Sequence, residues 1–348
     1  MPSFCRHNRI LQNCPICARE QHLEVRPVVS GGDVTDAAAR SGADASRSRG
    51  DSSPRPAGVA GRGAAGQRRD GSTQRRSSGP SVTVRRLARG TEDGYRSPLV
   101  PGLKSSQDAE RLADELAFAA RRLEVMESSP EGLWQEIGDP SGDVEERTWL
   151  AVLVAYLAPL EDSPEPFASI EQVRVSWVSG EVPDLNGVAT GPRTAYSPGQ
   201  GTLEAYRAWV ARAGSQAAAF AGEDAWTPER RFERIFERLS LPGLHRDARF
   251  ELLVLLGQNS VFDLRAGSLR LGGGDETTVA AKRVLGIGDP MLLERRARDL
   301  ADACGVPVAA LDLGLRNWGI GERERAGLAA GVEPEPAVVD QAREALEL

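Results

Sequence analysis

The chain has 348 residues, a formal net charge of −7, 40% hydrophobic residues and 27% charged residues. This length and composition are those of a folded protein with one or two domains, and they exclude a wholly disordered or fibrous chain. No apolar run with the form of a signal peptide follows Met1. We therefore expect a cytoplasmic protein that is not exported and does not contact a membrane.

The first feature along the chain is a cluster of residue types that bind metals. Its members are Cys5, His7, Cys14 and Cys17, in the pattern C-x-H-x6-C-x2-C. Two thiolates separated by two residues can bind one side of a tetrahedral ion, and a second pair nearby can complete the other side. The pattern therefore predicts a structural zinc site, with zinc as the cofactor, in a small knuckle over residues 1–27.

Two details of this cluster leave alternatives open. The single residue between Cys5 and His7 makes a tight chelating pair, so His22 is an alternative fourth ligand. Disulfides and scattered reduced thiols are other uses of closely spaced cysteines, although disulfides belong to oxidising compartments. The remaining cysteine, Cys304, lies in a helical pattern and is expected to be a small buried apolar residue.

A strongly basic segment follows. Residues 31–90 contain twelve arginines, five aspartates and neither lysine nor glutamate, so this segment carries +7 and the rest of the chain about −14. Residues 28–80 contain almost no large apolar side chains, and such a composition cannot bury enough surface to offset the loss of chain entropy. We expect a disordered linker that is either a nonspecific binder of DNA phosphates or a soluble spacer.

From residue 81 to residue 321 the apolar spacing predicts a helical domain. Ser106 is predicted to cap a helix over residues 107–127. The helix after Asp143 is apolar nearly all round, which is typical of a central buried helix, and Pro159 leaves it too short to span a membrane.

Further helices are predicted in the second half of the chain. One starts at Thr227, and others cover residues 247–257, 277–286, 290–305 and 307–319, with Gly257, Gly286 and Gly305 as terminating residues. A short strand at residues 82–87 is possible, but no alternation of strands and helices is sustained. Residues 322–348 are predicted to form an acidic tail with one weak helix.

Two stretches resemble, in order and separation, the helix-hairpin-helix fold of base-excision DNA glycosylases. The first is RLSLPGLHRDARFELLVLLG at residues 238–257, and the second is GDETTVAAKRVLGIGD at residues 274–289, followed by LDLGLRNWG. The resemblance covers about residues 145–320. It implies a mostly α domain in which a hairpin, begun here by Leu-Pro-Gly, presents backbone N–H groups to a DNA phosphate.

Carried over to this sequence, the resemblance implies DNA contacts at Gly243, His245 and Arg246, and Asp275 matches the glycosylase aspartate. In those enzymes the carboxylate stabilises positive charge that develops at C1′ as the base leaves. The sequence also departs from the pattern. His245 stands where the hairpin has its second glycine, and Asp247 stands where bifunctional enzymes carry a Schiff-base lysine. Cysteines for an iron-sulfur cluster are missing too, so a lyase mechanism is not expected.

A narrower resemblance rests on the knuckle, the arginine-rich segment and the strings AAKRVLGIGDP and ALDLGLRNW. Together they resemble the bacterial alpha-glutamyl/putrescinyl thymine pyrophosphorylase family, clade 3, an offshoot of the glycosylase fold. The resemblance implies hypermodification of thymine in DNA, in which a pyrophosphorylated 5-hydroxymethyluracil is flipped out of the duplex and exchanges its pyrophosphate for an amine. It also implies DNA as the partner and an association with the nucleoid.

Lys282 is a second candidate catalytic residue beside Asp275. Only two of the 43 basic residues are lysines, Lys104 and Lys282. A lysine retained among arginines can supply a compact point charge in a site, and chance is the alternative. Asp275 follows three glycines and opens a helix, so it is also expected to be an N-cap, a role that does not exclude catalysis.

Several other polar and aromatic residues are expected to be structural. Asp289, before Pro290, is predicted to be a helix cap. Trp134, Trp149 and Trp318 lie in apolar helical contexts and are predicted to belong to the core. His245 is predicted to be a phosphate contact or a surface residue.

Three functions remain open at this point. They are the DNA-modifying enzyme, a catalytically silent DNA-binding adaptor, and a monofunctional glycosylase. The negative charge of the globular part counts against all three, because DNA-binding proteins usually have a basic surface. A cluster of arginines on one face would answer this objection.

Overall fold

The computed structural model describes residues 90–161, 163–194 and 199–348. The predicted zinc knuckle over residues 1–27, the predicted linker over residues 28–80 and the possible strand at residues 82–87 lie outside the described residues. The chain divides into two units at Ser77 and Ser78, and all described residues belong to the second unit.

Over the described ranges the protein is built from α-helices and contains no strand, which confirms the prediction of a mostly α domain. The helices in chain order are α1 (Ser106–Ser128), α2 (Leu133–Gly138), α3 (Val144–Leu157), α4 (Ala168–Val173), α5 (Gln200–Ala213), α6 (Gln216–Ala221), α7 (Pro228–Arg238), α8 (Arg246–Gln258), α9 (Glu276–Leu285), α10 (Pro290–Cys304), α11 (Val308–Ile320) and α12 (Pro336–Ala345). The finer assignment, a helix-hairpin-helix glycosylase fold, stays a prediction. No helix in these ranges is long and apolar enough to cross a membrane.

The central helix is α3. Asp143 caps it by accepting two backbone N–H groups, and every residue from Thr148 to Leu157 is buried. The helix is apolar on all sides because α2, α4, α6 and α8 all pack against it. It ends at Ala158, which has a φ of 56°, just before a proline that cannot continue the helix. The prediction of a central buried helix after Asp143 is therefore confirmed.

A second buried helix, α11, packs against α1 and α9. Two glycines permit this close approach. A Cβ atom at Gly314 would lie 2.8 Å from Leu116 Cδ2, and a Cβ atom at Gly319 would lie 2.8 Å from the Cβ of Ala280. Any larger side chain at either position would push the helices apart, so the position of α11 depends on both glycines.

The buried residues include those that the sequence assigns to the core. Trp134, Trp149 and Trp318 are each 1% exposed, and Cys304 is fully buried, which confirms these predictions. Burial raises the pKa of the Cys304 thiol to about 11. Cys304 therefore acts as a small apolar side chain, because the reactive form of cysteine is the thiolate.

Three of the predicted helix caps are confirmed. The side chains of Thr227, Asp275 and Asp289 each accept a backbone N–H from three residues further on. The prediction that Ser106 caps α1 is wrong, since Ser105 stands at the N-cap and Ser106 is the first helical residue. Asp93 in the preceding segment accepts both the backbone N–H and the hydroxyl of Ser106, and so performs the capping.

Two of the predicted helix ends are also confirmed. Helices α9 and α10 end at Gly286 and Gly305, which both have left-handed backbone conformations. The prediction that Gly257 ends α8 is wrong, because the helix continues to Gln258. Glycine is required there for a different reason: a Cβ atom would lie 2.2 Å from the carbonyl oxygen of Leu264, where the chain folds back on the helix.

The C-terminal residues 322–348 pack against the other helices. The weak helix predicted in this segment is α12, which lies on α1 and α10. Ala342 and Leu346 are fully buried. The hydroxyl of Tyr95 donates to the carbonyl oxygen of Leu346 at 2.5 Å. The segment therefore contributes to the core of the helical body rather than extending from it as a tail.

Candidate functional site

A tight turn connects α7 to α8 at the predicted hairpin. The Leu244 N–H donates to the carbonyl oxygen of Leu241 at 3.1 Å, and Gly243 has a φ of +76°. Proline followed by glycine at the two central positions is the sequence preference of a type II turn. A Cβ atom at Gly243 would lie 2.1 Å from Thr202 Oγ1, so α5 packs closely against the turn. The Leu-Pro-Gly sequence thus specifies the turn and its packing.

Helix α8 begins directly after this turn. His245 is its N-cap and makes no side-chain capping hydrogen bond. The backbone N–H groups of a helical first turn have no acceptor within their own helix, and they carry the positive end of the helix dipole. Gly243 and His245 are both exposed. Two of the three predicted DNA contacts therefore lie on the surface, beside a helix N-terminus suited to an anion.

Arg246, the third predicted DNA contact, is placed differently. Its side chain is 9% exposed. One terminal nitrogen donates to Asp312 and, at 3.1 Å, to Asp247, and the other donates to the carbonyl oxygen of Leu269. A guanidinium that is paired in this way inside the protein is not available to a phosphate at the surface.

Arg246 belongs to a group of buried charged side chains, called here the ionic cluster. Its members are Arg122, Arg193, Arg246, Arg316, Asp247, Glu251, Asp312 and Glu324, all of which are at most 9% exposed. The four guanidinium groups and four carboxylates give a formally neutral cluster that joins α1, α8 and α11. Neutrality matters because a single buried charge without a partner would strongly destabilise the fold.

Ion pairs run through the whole ionic cluster. They join Arg122 to Glu251, Glu251 to Arg193 at 3.7 Å, Arg193 to Asp312 at 2.6 Å, Asp312 to Arg246, Arg246 to Asp247 at 3.1 Å, Asp247 to Arg316 at 3.8 Å, and Arg316 to Glu324 at 2.7 Å. Each inner member of this series has a partner on both sides, so removing one would leave the cluster with a net charge and would deprive both of its neighbours of a counter-charge.

Two carboxyl groups of the ionic cluster have pKa values shifted in opposite directions. Burial acts to raise the pKa of Asp312, but Arg246 and Arg193 outweigh it and lower this pKa to about 2. Burial also raises the pKa of Asp247, the Asp312 carboxylate adds to that effect, and Arg246 only partly opposes it. Asp312 is therefore the ionised partner, and Asp247 is the carboxyl group that more readily holds a proton.

Asp275 lies at the N-terminus of α9, close to this pair. Its two oxygens accept from the backbone N–H of Thr278 at 2.9 Å and from the Thr278 hydroxyl at 2.8 Å. It is half-buried, and its charge contributes to raising the pKa of both Asp247 and Arg246. The first turns of α8 and α9 both bond to Asp312, because Arg246 donates to its carboxylate and the Thr277 hydroxyl donates to its carbonyl oxygen at 3.3 Å. The structure confirms the capping role of Asp275.

Lys282 is not brought into the ionic cluster. It lies seven residues after Asp275 on α9, which corresponds to about 10 Å along the helix axis. Its side chain is half-buried and makes no hydrogen bond or ion pair with the residues that the structure describes. The neighbouring Arg283 stacks over the ring of Trp318 at 5.0 Å. The two candidate catalytic residues therefore face different surroundings.

A narrow crevice lies between α3 and the start of α8. Three members of the ionic cluster line it, Arg193, Asp247 and Glu251, together with apolar residues of α3. Its free space suffices for about one water molecule. A pyrimidine ring does not fit in this space.

The sequence interpretation missed most of the ionic cluster. Arg193, Glu251 and Asp312 were not among the candidate residues, although two of them are charged residues inside apolar helical runs, at positions where the pattern calls for core side chains. That mismatch between pattern and residue type was the available signal. Arg193 gave no such signal, because it lies in an irregular segment between α4 and α5.

The described ranges contain no group of three or more His, Cys, Asp or Glu side chains that could hold a metal ion. The predicted zinc ligands Cys5, His7, Cys14 and Cys17 lie outside those ranges. Comparison with known proteins finds no matching protein family, no matching curated protein and no matching solved structure.

Proposed function

We propose that the helical body is a DNA-acting enzyme of the helix-hairpin-helix glycosylase type, which works on a flipped-out modified thymine. The supporting observation is that the first turns of α8 and α9 both bond to Asp312, through Arg246 and Thr277. The charge of Asp275 acts on Asp247, and the exposed Leu-Pro-Gly turn directly precedes α8. The turn can bind a phosphate, and it is followed by two carboxyl groups with different surroundings. Such a set of groups is suited to chemistry on one extruded nucleotide.

In this proposal the parts have separate roles. The turn at Gly243 and the N-terminus of α8, beside His245, bind a DNA phosphate through backbone N–H groups. Asp275 is the side chain that stabilises positive charge developing on the nucleotide. Asp247 holds or releases a proton, because its pKa is raised by burial and by neighbouring carboxylates. The proposed substrate is a thymine with an oxygen substituent on its methyl group, of the 5-hydroxymethyluracil pyrophosphate type.

The N-terminal segments complete the proposal. Residues 31–90 carry +7 against about −14 for the rest of the chain, so they are the part of the protein most suited to long-range attraction of DNA. The zinc knuckle has a structural role in this proposal, because four protein ligands leave no coordination position for a reacting water. Its ligands are Cys5, Cys14, Cys17 and either His7 or His22.

A catalytically silent DNA-binding adaptor is the second candidate. The observation in its favour is the size of the crevice beside Asp247, which admits about one water molecule rather than a base. Burial of Arg246 in ion pairs also favours the adaptor over the enzyme, since it removes a cation from the surface that DNA would contact. In this alternative the exposed turn and the basic N-terminal segment bind DNA without chemistry.

The deciding experiment compares two helix-capping aspartates. Asp275→Asn changes the proposed site, and Asp289→Asn changes an equivalent cap at the start of α10, outside the site. Asparagine caps a helix about as well as aspartate, so both variants should fold. Oligonucleotides containing 5-hydroxymethyluracil or its pyrophosphate would be incubated with each protein and an amine donor, and then analysed by mass spectrometry. We expect Asp275→Asn to lose about a hundredfold or more in activity and Asp289→Asn to retain it; no reaction with the wild type would favour the adaptor.

A further inference from the structure

A groove with apolar walls, called here the acidic groove, lies on the helical body between α1, α8, α11 and α12. It consists of two cavities, of about 650 Å³ and 230 Å³, that share Glu127, Gln258 and Pro307 and so adjoin each other. Six apolar residues of its walls are only partly buried: Ala120, Val261, Phe262, Val308, Ala309 and Val338. Partly exposed apolar side chains that line one groove are typical of a surface where another group binds.

The charged side chains of the acidic groove are mostly carboxylates. They are Glu124, Glu127, Asp263, Asp302 and Glu335, against two cations, Arg121 and Arg265. Arg121 is already paired with Glu124 at 2.6 Å. Within the described part of the chain, Glu127, Asp302 and Glu335 form no ion pair. The groove is therefore suited to a ligand that is both cationic and partly apolar.

The backbone of the acidic groove offers hydrogen-bond donors as well. Helix α11 begins there, and its N-cap, Pro307, has no side chain that could cap the helix. The N–H groups of Val308 and Ala309 have no acceptor in their own helix, and they donate to no other residue that the structure describes. An extended peptide could supply carbonyl oxygens to both. The groove is therefore suited to a peptide segment rather than to a small cation.

The chain contains a segment of matching chemistry directly before the helical body. Residues 81–90, SVTVRRLARG, include three arginines and no acidic residue. The whole basic segment 31–90 has only five large apolar side chains, and three of them lie here: Val82, Val84 and Leu87. A spacer or a phosphate-binding segment has no need of these three side chains, whereas a segment that docks on an apolar surface does.

The position of Gly90, where the described residues begin, brings the groove within reach of this segment. The Gly90 N–H donates to Asp108 at 3.3 Å, and a Cβ atom at Gly90 would lie 3.4 Å from Gln107 Oε1. One face of α1 leads from there to the groove, with residues spaced by three or four positions: Gln107, Glu110, Asp114, Ala117, Arg121 and Glu124. The helix rises about 24 Å from Asp108 to Glu124, and eight extended residues span about 26 Å.

We propose that residues 82–89 of this chain lie along α1 in the acidic groove. Val82 and Val84 contact its apolar walls, and Arg85 and Arg86 lie beside its carboxylates. Three of the twelve arginines of residues 31–90 are then held on the helical body, and the other nine remain free. DNA phosphates and the groove compete for the same three arginines. This contact does not depend on the catalytic roles proposed above.

Binding of a fluorescent peptide of residues 81–90 to the full chain, measured by anisotropy, tests the proposal. A serine variant replaces the three apolar residues of the segment and keeps every charge: V82S, V84S and L87S. The matched control replaces the other two large apolar residues of the basic segment: V34S and V59S. We expect the wild type and the control to bind the peptide at least about tenfold more weakly than the serine variant, because a tethered segment competes at a millimolar effective concentration. Equal binding by all three chains, or none by the serine variant, would overturn the proposal.

A charge exchange shows whether the peptide binds in the acidic groove. Glu124→Arg with Glu127→Arg, added to the serine variant, should abolish binding, and a peptide with Arg85→Glu and Arg86→Glu should bind this reversed groove. Both carboxylates are exposed, so the reversed chain should fold. Glu204→Arg, on α5 and outside the groove, is the control and should change nothing. Undiminished binding after the reversal would overturn the proposal. So would a wild-type dimer, absent from the serine variant in light scattering, because the segment would then lie on a second copy.

Discussion

Asp247 and Asp312 bind the same guanidinium group, that of Arg246, and their pKa values are shifted in opposite directions. The difference comes from their partners. Asp312 also accepts from Arg193 at 2.6 Å, whereas the second cation of Asp247, Arg316, lies 3.8 Å away. One carboxylate is therefore held ionised by two close cations, and the other faces an uncompensated burial cost. This asymmetry gives the candidate site one carboxyl group with a lowered pKa, Asp312, and one with a raised pKa, Asp247.

The first prediction concerns the carboxylate of Asp312. Asp312→Asn should destabilise the helical body by about 3–5 kcal/mol, because Arg193 and Arg246 would lose their closest counter-charge while remaining buried. The measurement is the free energy of unfolding in a denaturant titration. Asp289→Asn, a change of the same chemistry at an exposed cap, is the matched control and should cost at most about 0.5 kcal/mol. Similar values for the two variants would contradict the role assigned to the ionic cluster.

The second prediction is the pH dependence that follows from the same residue. The pKa of Asp312 is lowered from 3.8 to about 2 on folding. A lowered pKa contributes stability that is present above the unfolded value and is lost as the pH falls through the folded value. The shift corresponds to about 2 kcal/mol, which the wild type should lose between about pH 5 and pH 2.

The contribution of Asp247 to the pH dependence of stability has the opposite sign. Its raised pKa favours the folded state at low pH and opposes it as the pH rises. The net slope in acid is therefore smaller than Asp312 alone would give. Denaturant titrations at several pH values would show whether the free energy of unfolding falls less steeply in acid for Asp312→Asn than for the wild type. Parallel curves for the two proteins would mean that other carboxyl groups dominate acid denaturation.

The third prediction concerns zinc. The purified chain, kept reduced, should contain one zinc ion per molecule through Cys5, Cys14, Cys17 and either His7 or His22, and Cys14→Ser should lose it. Metal analysis of both proteins makes the comparison. Unfolding of the helical body should be unaffected by the loss, because a structural metal stabilises only the segment that it holds together. His7→Ala and His22→Ala would identify the fourth ligand.

The sequence predicted the helices better than the site. Apolar spacing located α3, α7 and α9 because each buries a continuous face, and the caps at Thr227 and Asp275 depend only on residues three positions apart. The ionic cluster depends on contacts between distant segments, such as Arg193 with Asp312, and local pattern carries no information on such pairing. The error at Ser106 has the same cause, since the capping carboxylate is Asp93, thirteen residues earlier.

The fourth prediction concerns the arginine-rich segment. Deleting residues 31–80 should weaken DNA binding and flatten its salt dependence, with the slope of log K against log salt falling by about 0.9 for each DNA phosphate that the shortened chain no longer neutralises. The charge of the helical body is negative, so the remaining affinity should be small. Titrations with duplex DNA at several salt concentrations give the slope. An unchanged slope would show that these arginines form only a spacer.

The last prediction separates Lys282 from Asp275. The structure places Lys282 about 10 Å along α9 from Asp275, without a hydrogen bond or ion pair among the described residues. Lys104 is the only other lysine of the chain, and it is exposed and donates to the carbonyl oxygen of Pro101. Lys282→Arg and Lys104→Arg therefore form a matched pair that conserves charge but replaces a compact ammonium with a planar guanidinium.

We expect both lysine variants to act on a 5-hydroxymethyluracil oligonucleotide within about twofold of the wild type, because a surface cation that only attracts DNA tolerates this exchange. Asp275→Asn in the same assay should be about a hundredfold slower. A large loss of activity confined to Lys282→Arg would mean that the base binds along α9 rather than beside Asp247. The substrate would then contact the second turn of that helix.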